Sequence, residues 1–256
     1  MRKMVLPWKT IKDRIILYSQ FIFKQNPYIS PVKRMLLVLR FFYIHMRVEC
    51  RHGNFEIIQI AQSILDNPTI EGVIVEAGSY KGGATAKLSL IAQVTGRKLF
   101  VFDSFEGLPE NDDFYNVYSR RRYTYNPYVK RTKYGYVFSK GQYTSPLKEV
   151  KRNIRLYGAP GVCVYHKGWF DETMKDIRTP IAALFLDVDL ASSTKTCLKY
   201  LYPLLAKKGV LYSHDGHLGR VTDVYKDRLF WKKEVGVSRP TIYGLGRARL
   251  LKIVKQ

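Results

Sequence analysis

Polar and apolar positions along this chain change period near residue 68. Residues 55–65 (FEIIQIAQSIL) carry apolar side chains at helical spacing, and Asn67-Pro68 ends that run. The stretch before it also reads as helices, interrupted at Pro27 and Pro31. From residue 72 onward, short β-branched or apolar runs alternate with helix-period segments. Strands are predicted over residues 72–77, 98–102, 162–166, 181–190 and 209–213, with helices over 84–94, 144–158 and 193–205. Residues 241–254 could supply a final hairpin turning at 244–246, and no internal repeat is visible.

Strand, helix, strand in this order implies parallel neighbours joined by right-handed crossovers. The expected fold is therefore α/β, a doubly wound and mostly parallel sheet, with ligands bound beyond the carboxyl ends of its strands. Residues 1–67 are expected to form an N-terminal helical cap and residues 68–256 the main domain. Within that domain, residues 111–140 break the alternation and are crowded with Tyr, Arg and Lys, which predicts a basic lid.

Two strand ends carry candidate ligand-binding chemistry. Residues 73–83 (VIVEAGSYKGG) form a strand-to-helix turn whose small residues let a ligand approach backbone N–H groups at a helix start. The glycines do not make the G-x-G-x-x-G of dinucleotide folds. Glu76, at the end of that strand, can accept hydrogen bonds from ammonium or amide donors. Asp103, in LFVFDSFEGLP, ends the next strand, where a carboxylate can take both ribose hydroxyls of an adenosine or instead form a turn or helix cap.

A second group carries acids and imidazoles. Asp187 and Asp189 lie two apart at a strand end, on the same side if the strand stays regular, and SHDGH places His214, Asp215 and His217 at the next strand end. Acids gathered without a basic neighbour need a cation or raised pKa values, and carboxylate oxygens suit Mg²⁺.

The motifs VEAGSYKGG, VFDSFEGLPE, HKGWFDETM, LFLDVDLASST and LYPLLAKKGVLYSHD, in that order, cover roughly residues 70–216. Together they resemble the macrocin O-methyltransferase-like (TylF/MycF-type) family of antibiotic and sugar biosynthesis. That resemblance implies the Rossmann-like fold of class I S-adenosylmethionine-dependent methyltransferases. It also implies that Glu76 and the turn Gly78, Ser79, Tyr80 and Gly82 hold the methionine part of the cofactor. Asp103 would take the ribose with Ser104 beside it, and Trp169 and Phe170 would lie near the adenine, whose flat π-face suits aromatic neighbours. Asp187 would adjoin the cofactor and, with positions 214 and 215, ligate a divalent metal, while Asp189 acts as general base. This chain departs at His214, where the family has Asp. An imidazole can still ligate, though it favours softer metals, or it could itself serve as the catalytic base.

Composition narrows the partners. At 256 residues, with 46% hydrophobic and 25% charged residues, the chain reads as one folded α/β domain with an appendage. Cys50, Cys163 and Cys197 are scattered and odd in number, which suits a reducing, cytoplasmic compartment. The N-terminus lacks the apolar core and small-residue cleavage site of a signal peptide, and the run at 35–39 is broken by Arg40, far short of the ~20 apolar residues that span a bilayer.

Lys+Arg number 43 against 21 Asp+Glu, a formal +22, so anionic partners are expected: an anionic or sugar-containing small acceptor, nucleic acid, or a membrane surface. Arg120, Arg121, Arg122, Lys130, Arg131 and Lys133 interleave with seven tyrosines in the lid (Tyr115, Tyr118, Tyr123, Tyr125, Tyr128, Tyr134 and Tyr136), a mixture suited to phosphorylated sugars, glycolipids or single strands. No base-reading motif accompanies the charge. In the N-terminal helices, Lys9, Lys12, Arg14, Lys33, Arg34 and Arg40 intersperse with Trp8, Ile15, Phe21 and Phe23, a pattern of peripheral membrane contact or of a packed cap. Three functions follow: an O-methyltransferase of a sugar or related hydroxyl, a nucleic-acid methyltransferase, and a non-catalytic, membrane-associated binding protein on the same fold. A homo-oligomer is expected from the resemblance.

Overall fold

The computed structural model describes residues 11–24, 26, 29–111, 114–115, 129–132 and 135–256. Three helices open the chain: α1 (Ile11–Phe23), α2 (Pro31–Arg47) and α3 (Asn54–Leu65). The α/β alternation then runs β1 (Val73–Ala77), α4 (Gly83–Val94) and β2 (Leu99–Asp103). An insertion carries β3 (Phe114–Tyr115), β4 (Val129–Thr132) and β5 (Gly135–Phe138), and α5 (Leu147–Tyr157) follows. After it come β6 (Cys163–Lys167), α6 (Phe170–Thr173), β7 (Ile181–Leu186), α7 (Ala191–Leu201), β8 (Leu205–Ser213), α8 (Gly219–Lys226) and β9 (Leu251–Val254).

The main sheet has six strands in the order β6-β2-β1-β7-β8-β9. All neighbours are parallel except β9, which runs antiparallel to β8. Strand order therefore reverses on either side of β1, and a crevice opens between the ends of β1 and β7. Buried residues of α1–α5 pack on one face of the sheet, together with Ile74, Val101 and Phe185. Residues of α7 and α8 cover the other face with Val75, Leu184 and Leu211. Helix α3 is tied to the sheet by the Ser63 and Tyr212 hydroxyls, 2.6 Å apart, so it shares the core of the main domain.

Several local expectations need correction. The fourth strand stops at Leu186, not at 190, because Asp189 adopts φ +58° and turns the chain away from the ladder. The tail hairpin shrinks to one bridge, Tyr243 with Lys252; the segment pairs instead with β8, where it buries Leu251 and Ile253. The 111–140 stretch is not wholly irregular, since β3, β5 and β4 form a small antiparallel sheet in that order. Of the lid residues named above, those at 118, 120–123, 125, 128, 133 and 134 lie outside the described residues, as do Trp8 and Lys9. Arg34 and Phe21 are not on the basic-aromatic surface. Both are fully buried, with Arg34 donating to the Phe21 carbonyl at 2.9 Å.

The crevice depends on one close approach. Gly78 has φ +85°, and a Cβ there would sit 2.0 Å from the Asp187 carbonyl oxygen. Gly78→Ala is expected to lower stability by roughly 2–4 kcal/mol in urea unfolding, because strain and clash add. An unchanged midpoint would contradict the observed contact.

Candidate active site

Every site residue read from the sequence lies at, or just after, the carboxyl end of one of the parallel strands. The hydrogen-bond ladder continues one residue past three of these ends. Gly78 N–H donates to Phe102 O at 3.0 Å, Asp187 N–H to Ala77 O at 3.0 Å, and His214 N–H to Leu186 O at 2.8 Å. Backbone bonds therefore place these three residues before any side chain interacts.

The turn after β1 is built from left-handed residues: Gly78 at φ +85°, Tyr80 at +48° and Gly82 at +81°. Gly82 precedes helix α4 as its cap and offers no side-chain hydrogen bond, so the first N–H groups of the helix face the turn. Asp103 clamps this turn. Its Oδ2 accepts from Ser79 N (2.6 Å), Ser79 Oγ (3.1 Å) and Tyr80 N (3.4 Å), while Oδ1 accepts from Phe105 N (2.7 Å). Burial raises the Asp103 carboxyl, and these four donors pull it back. Ser104 is turned away into its own loop, donating to Gly107 O at 2.9 Å. Trp169 immediately precedes α6 with 37% of its surface exposed, and Phe170 is half-buried against the core.

Glu76 is fully buried, and neither carboxylate oxygen has a well-formed hydrogen bond. Burial pushes its pKa up to about 8; the nearby Thr85 hydroxyl opposes this, and Asp103 and Asp187 add to it. An orphaned buried carboxyl of this kind is costly unless a donor comes to meet it.

The acid and histidine group assembles across β7, β8 and α3. His214 Nδ1 lies 2.9 Å from Asp187 Oδ1, and Nε2 lies 3.2 Å from Glu56 Oε2, close enough for ion pairing although off-line for a hydrogen bond. Glu56 is aimed by its helix: at the third position of α3 it reaches back to accept from Gly53 N at 2.7 Å. Burial disfavours a charged His214, but the two carboxylates outweigh it and push its pKa up to about 10. Asp187 is held well below the usual carboxylate range, burial being overcome by His214. Asp215 Oδ2 accepts from Val188 N (3.0 Å) and Asp189 N (3.1 Å); burial, then Asp187, raises its pKa to about 7. Asp189, half-buried, is pushed well above the carboxylate range by burial and by Asp215 and Asp187. The regular alternation expected of Asp187 and Asp189 fails with the strand, yet both stay within the same cluster.

Asp187, His214 and Asp215 bring one ligand atom each within 4.8 Å of one another, a spacing that a metal could use. His214 sets a condition on it, because only a neutral imidazole can ligate. An imidazolium between Asp187 and Glu56 has no lone pair to offer, and it already supplies the positive charge that the acids require.

Two residues that sequence reasoning missed complete the group. Glu56 is one; His52 is the other, with Nδ1 3.7 Å from Asp187 Oδ2 and its ring 5.8 Å from that of His214. Glu56 had a signal in its place three residues after the helix cap Gly53, whereas His52 precedes that cap and helical spacing could not have found it. His217 is half-buried beside the group, its ring 6.3 Å from that of His214, and burial pushes its pKa down to about 3.

The sequence profile of the macrocin-O-methyltransferase (TylF) family matches residues 51–240. The chain belongs to this family. A curated relative, the 8-demethyl-8-(2,3-dimethoxy-alpha-L-rhamnosyl)-tetracenomycin-C 4'-O-methyltransferase of Streptomyces olivaceus, is 28% identical over 178 residues. That match takes in 67% of this chain and spans only 62% of the relative's length. Among solved structures, the O-methyltransferase NovP aligns with a TM-score of 0.58 at 20% identity, covering 78% of each chain. The calicheamicin methyltransferase CalS11 aligns at 0.55 and 17% identity, over 96% of this chain and 93% of its own. A Podospora anserina methyltransferase, PaMTH1, aligns over 100% of both chains at 0.55 and 14% identity. At these identities the likeness concerns the fold, and it agrees with the mostly parallel sheet of this family member.

The ion pairs of His214 have a measurable consequence. His214→Gln leaves Asp187 and Glu56 buried without their cation and is expected to cost on the order of 3–5 kcal/mol near neutral pH. Because the folded pKa lies near 10 rather than 6.5, the stabilisation is complete below about pH 6.5 and fades as pH rises through about 10. Urea unfolding of both proteins at several alkaline pH values should show their difference shrinking. A difference that stays constant with pH would show that His214 is not held as a cation.

Proposed function

We propose that this protein is an S-adenosylmethionine-dependent O-methyltransferase whose acceptor is a hydroxyl on a sugar or sugar-bearing small molecule. The observation that carries the reading is Glu76: a buried carboxyl with no well-formed hydrogen bond, beside the left-handed turn that opens α4, at the switch point of the sheet. Family membership supports the reaction class, and the Streptomyces olivaceus relative, named for a rhamnosyl-tetracenomycin, supports the acceptor class.

When bound, S-adenosylmethionine supplies a methyl group already activated by its sulfonium. Glu76 and the turn Gly78, Ser79, Tyr80 and Gly82 would hold its methionine part, the carboxylate meeting the ammonium and the turn offering N–H groups. Asp103 would take the ribose with the acceptor capacity left on Oδ1, since a carboxylate has about four lone-pair sites. Trp169 and Phe170 would border the adenine. Asp189 would take the acceptor's proton. Its raised pKa makes it a stronger base than a surface carboxylate, and its φ of +58° is strain of the kind found where geometry serves function. The His214 imidazolium, held between Asp187 and Glu56, would keep a positive charge near it. In this reading the transfer needs no divalent metal, because His214 occupies the position from which a cation would act.

Two measurements test the assignment. Glu76 must ionise to receive an ammonium, so affinity for S-adenosylhomocysteine should rise about tenfold per unit from about pH 6 to about pH 8, then level off. Glu76→Gln should flatten that rise; a wild-type profile already flat would sink the role given to Glu76. Asp189→Ala should reduce methyl transfer by about 10²–10⁴-fold while cofactor affinity stays within a factor of two or so. Transfer at the wild-type rate would remove Asp189 as the base.

A further inference from the structure

Helix α2 buries Leu37, Phe41 and Ile44 against the core but leaves its opposite side apolar. Val32, Met35, Leu36, Leu39, Phe42 and Met46 are all exposed, Met46 by 75% and Leu39 by 58%. At about 100° per residue these positions fall within an arc of about 120°, a continuous stripe along the helix. Phe23, at the end of α1, adds another exposed aromatic, 72% accessible.

Charge borders this stripe on one side. Lys33, Arg40 and Arg47 are exposed and seven residues apart, so they form a row drifting only about 20° per step beside the apolar residues. Helix α2 contains no acidic residue. Arg47 lies over the Tyr43 ring at 5.2 Å and Arg40 reaches the Tyr157 carbonyl at 3.4 Å, contacts that hold both side chains at the border of the stripe. The whole chain carries a formal +22.

An apolar stripe with a cationic margin is the signature of a helix lying in a membrane interface, with its side chains among acyl chains and its cations on lipid phosphates. At 17 residues, α2 is about 25 Å long. No described helix is long and apolar enough to cross a bilayer, so the fitting geometry is parallel to the surface. A second copy of this face is a poorer occupant, since α2 offers no acid to pair with the partner's cations. We propose that the exposed face of α2 docks this protein on an anionic phospholipid surface.

The test uses the full chain and sedimented vesicles of phosphatidylcholine, with or without phosphatidylglycerol. Binding is expected to the phosphatidylglycerol vesicles, falling about tenfold or more in high salt, with little binding to phosphatidylcholine alone. Leu36→Ser/Leu39→Ser removes apolar surface without changing charge, and it should cut vesicle binding at least about tenfold. Circular dichroism and S-adenosylhomocysteine titration of that variant should match wild type, because both positions face solvent. Unchanged vesicle binding by the double variant would assign the effect to bulk charge and overturn the proposal. So would absence of binding, or a dimer in analytical ultracentrifugation that the double variant splits.

Discussion

The carboxylate–imidazolium–carboxylate contact of Asp187, His214 and Glu56 is the constraint on which the rest of the site depends. It ties the start of α3 to the ends of the neighbouring strands β7 and β8, adding a side-chain link to the backbone bonds that already join those two strands. Without the imidazolium, buried acids would face one another in the crevice, and some would have to protonate or recruit a cation. With it, Asp187 stays ionised, and the remaining strain of charge falls on Asp189, Asp215 and Glu76, whose pKa values are all raised.

That division of charge suits a methyl-transfer site. In the proposed reading Glu76 and Asp189 are the two groups that act on the ligands: one meets a donor, and the other takes a proton. They sit at opposite sides of the β1–β7 crevice, whose walls the sheet ladder fixes. Catalysis by a donor that is already activated asks mainly for positioning, and a rigid sheet edge provides it.

Much of this was legible in the chain. The turn glycines, Glu76, Asp103, Asp187 and His214 all lie at predicted strand ends, because apolar runs followed by Gly or Asp mark where a parallel strand meets solvent. What could not be read was how distant elements meet. Glu56 belongs to a helix expected to lie in a cap, yet a capping bond points its carboxylate at His214. Asp103 is a turn clamp as well as a strand-end acid, which depends on the left-handed backbone at Gly78 and Tyr80 and not on the type of residue at 103. Arg34 and Phe21 matched a basic-aromatic surface pattern, but α1 and α2 pack those two residues against each other and expose different ones.

Calorimetric titration of S-adenosylhomocysteine into the full chain, with magnesium present and again with a chelator, tests the account most directly. Saturable binding at one site per chain, with the same affinity in both conditions, is the result that an orphaned Glu76 and a cationic His214 predict. Absence of binding at millimolar ligand would contradict the cofactor site, and binding that requires magnesium would contradict the role given to His214.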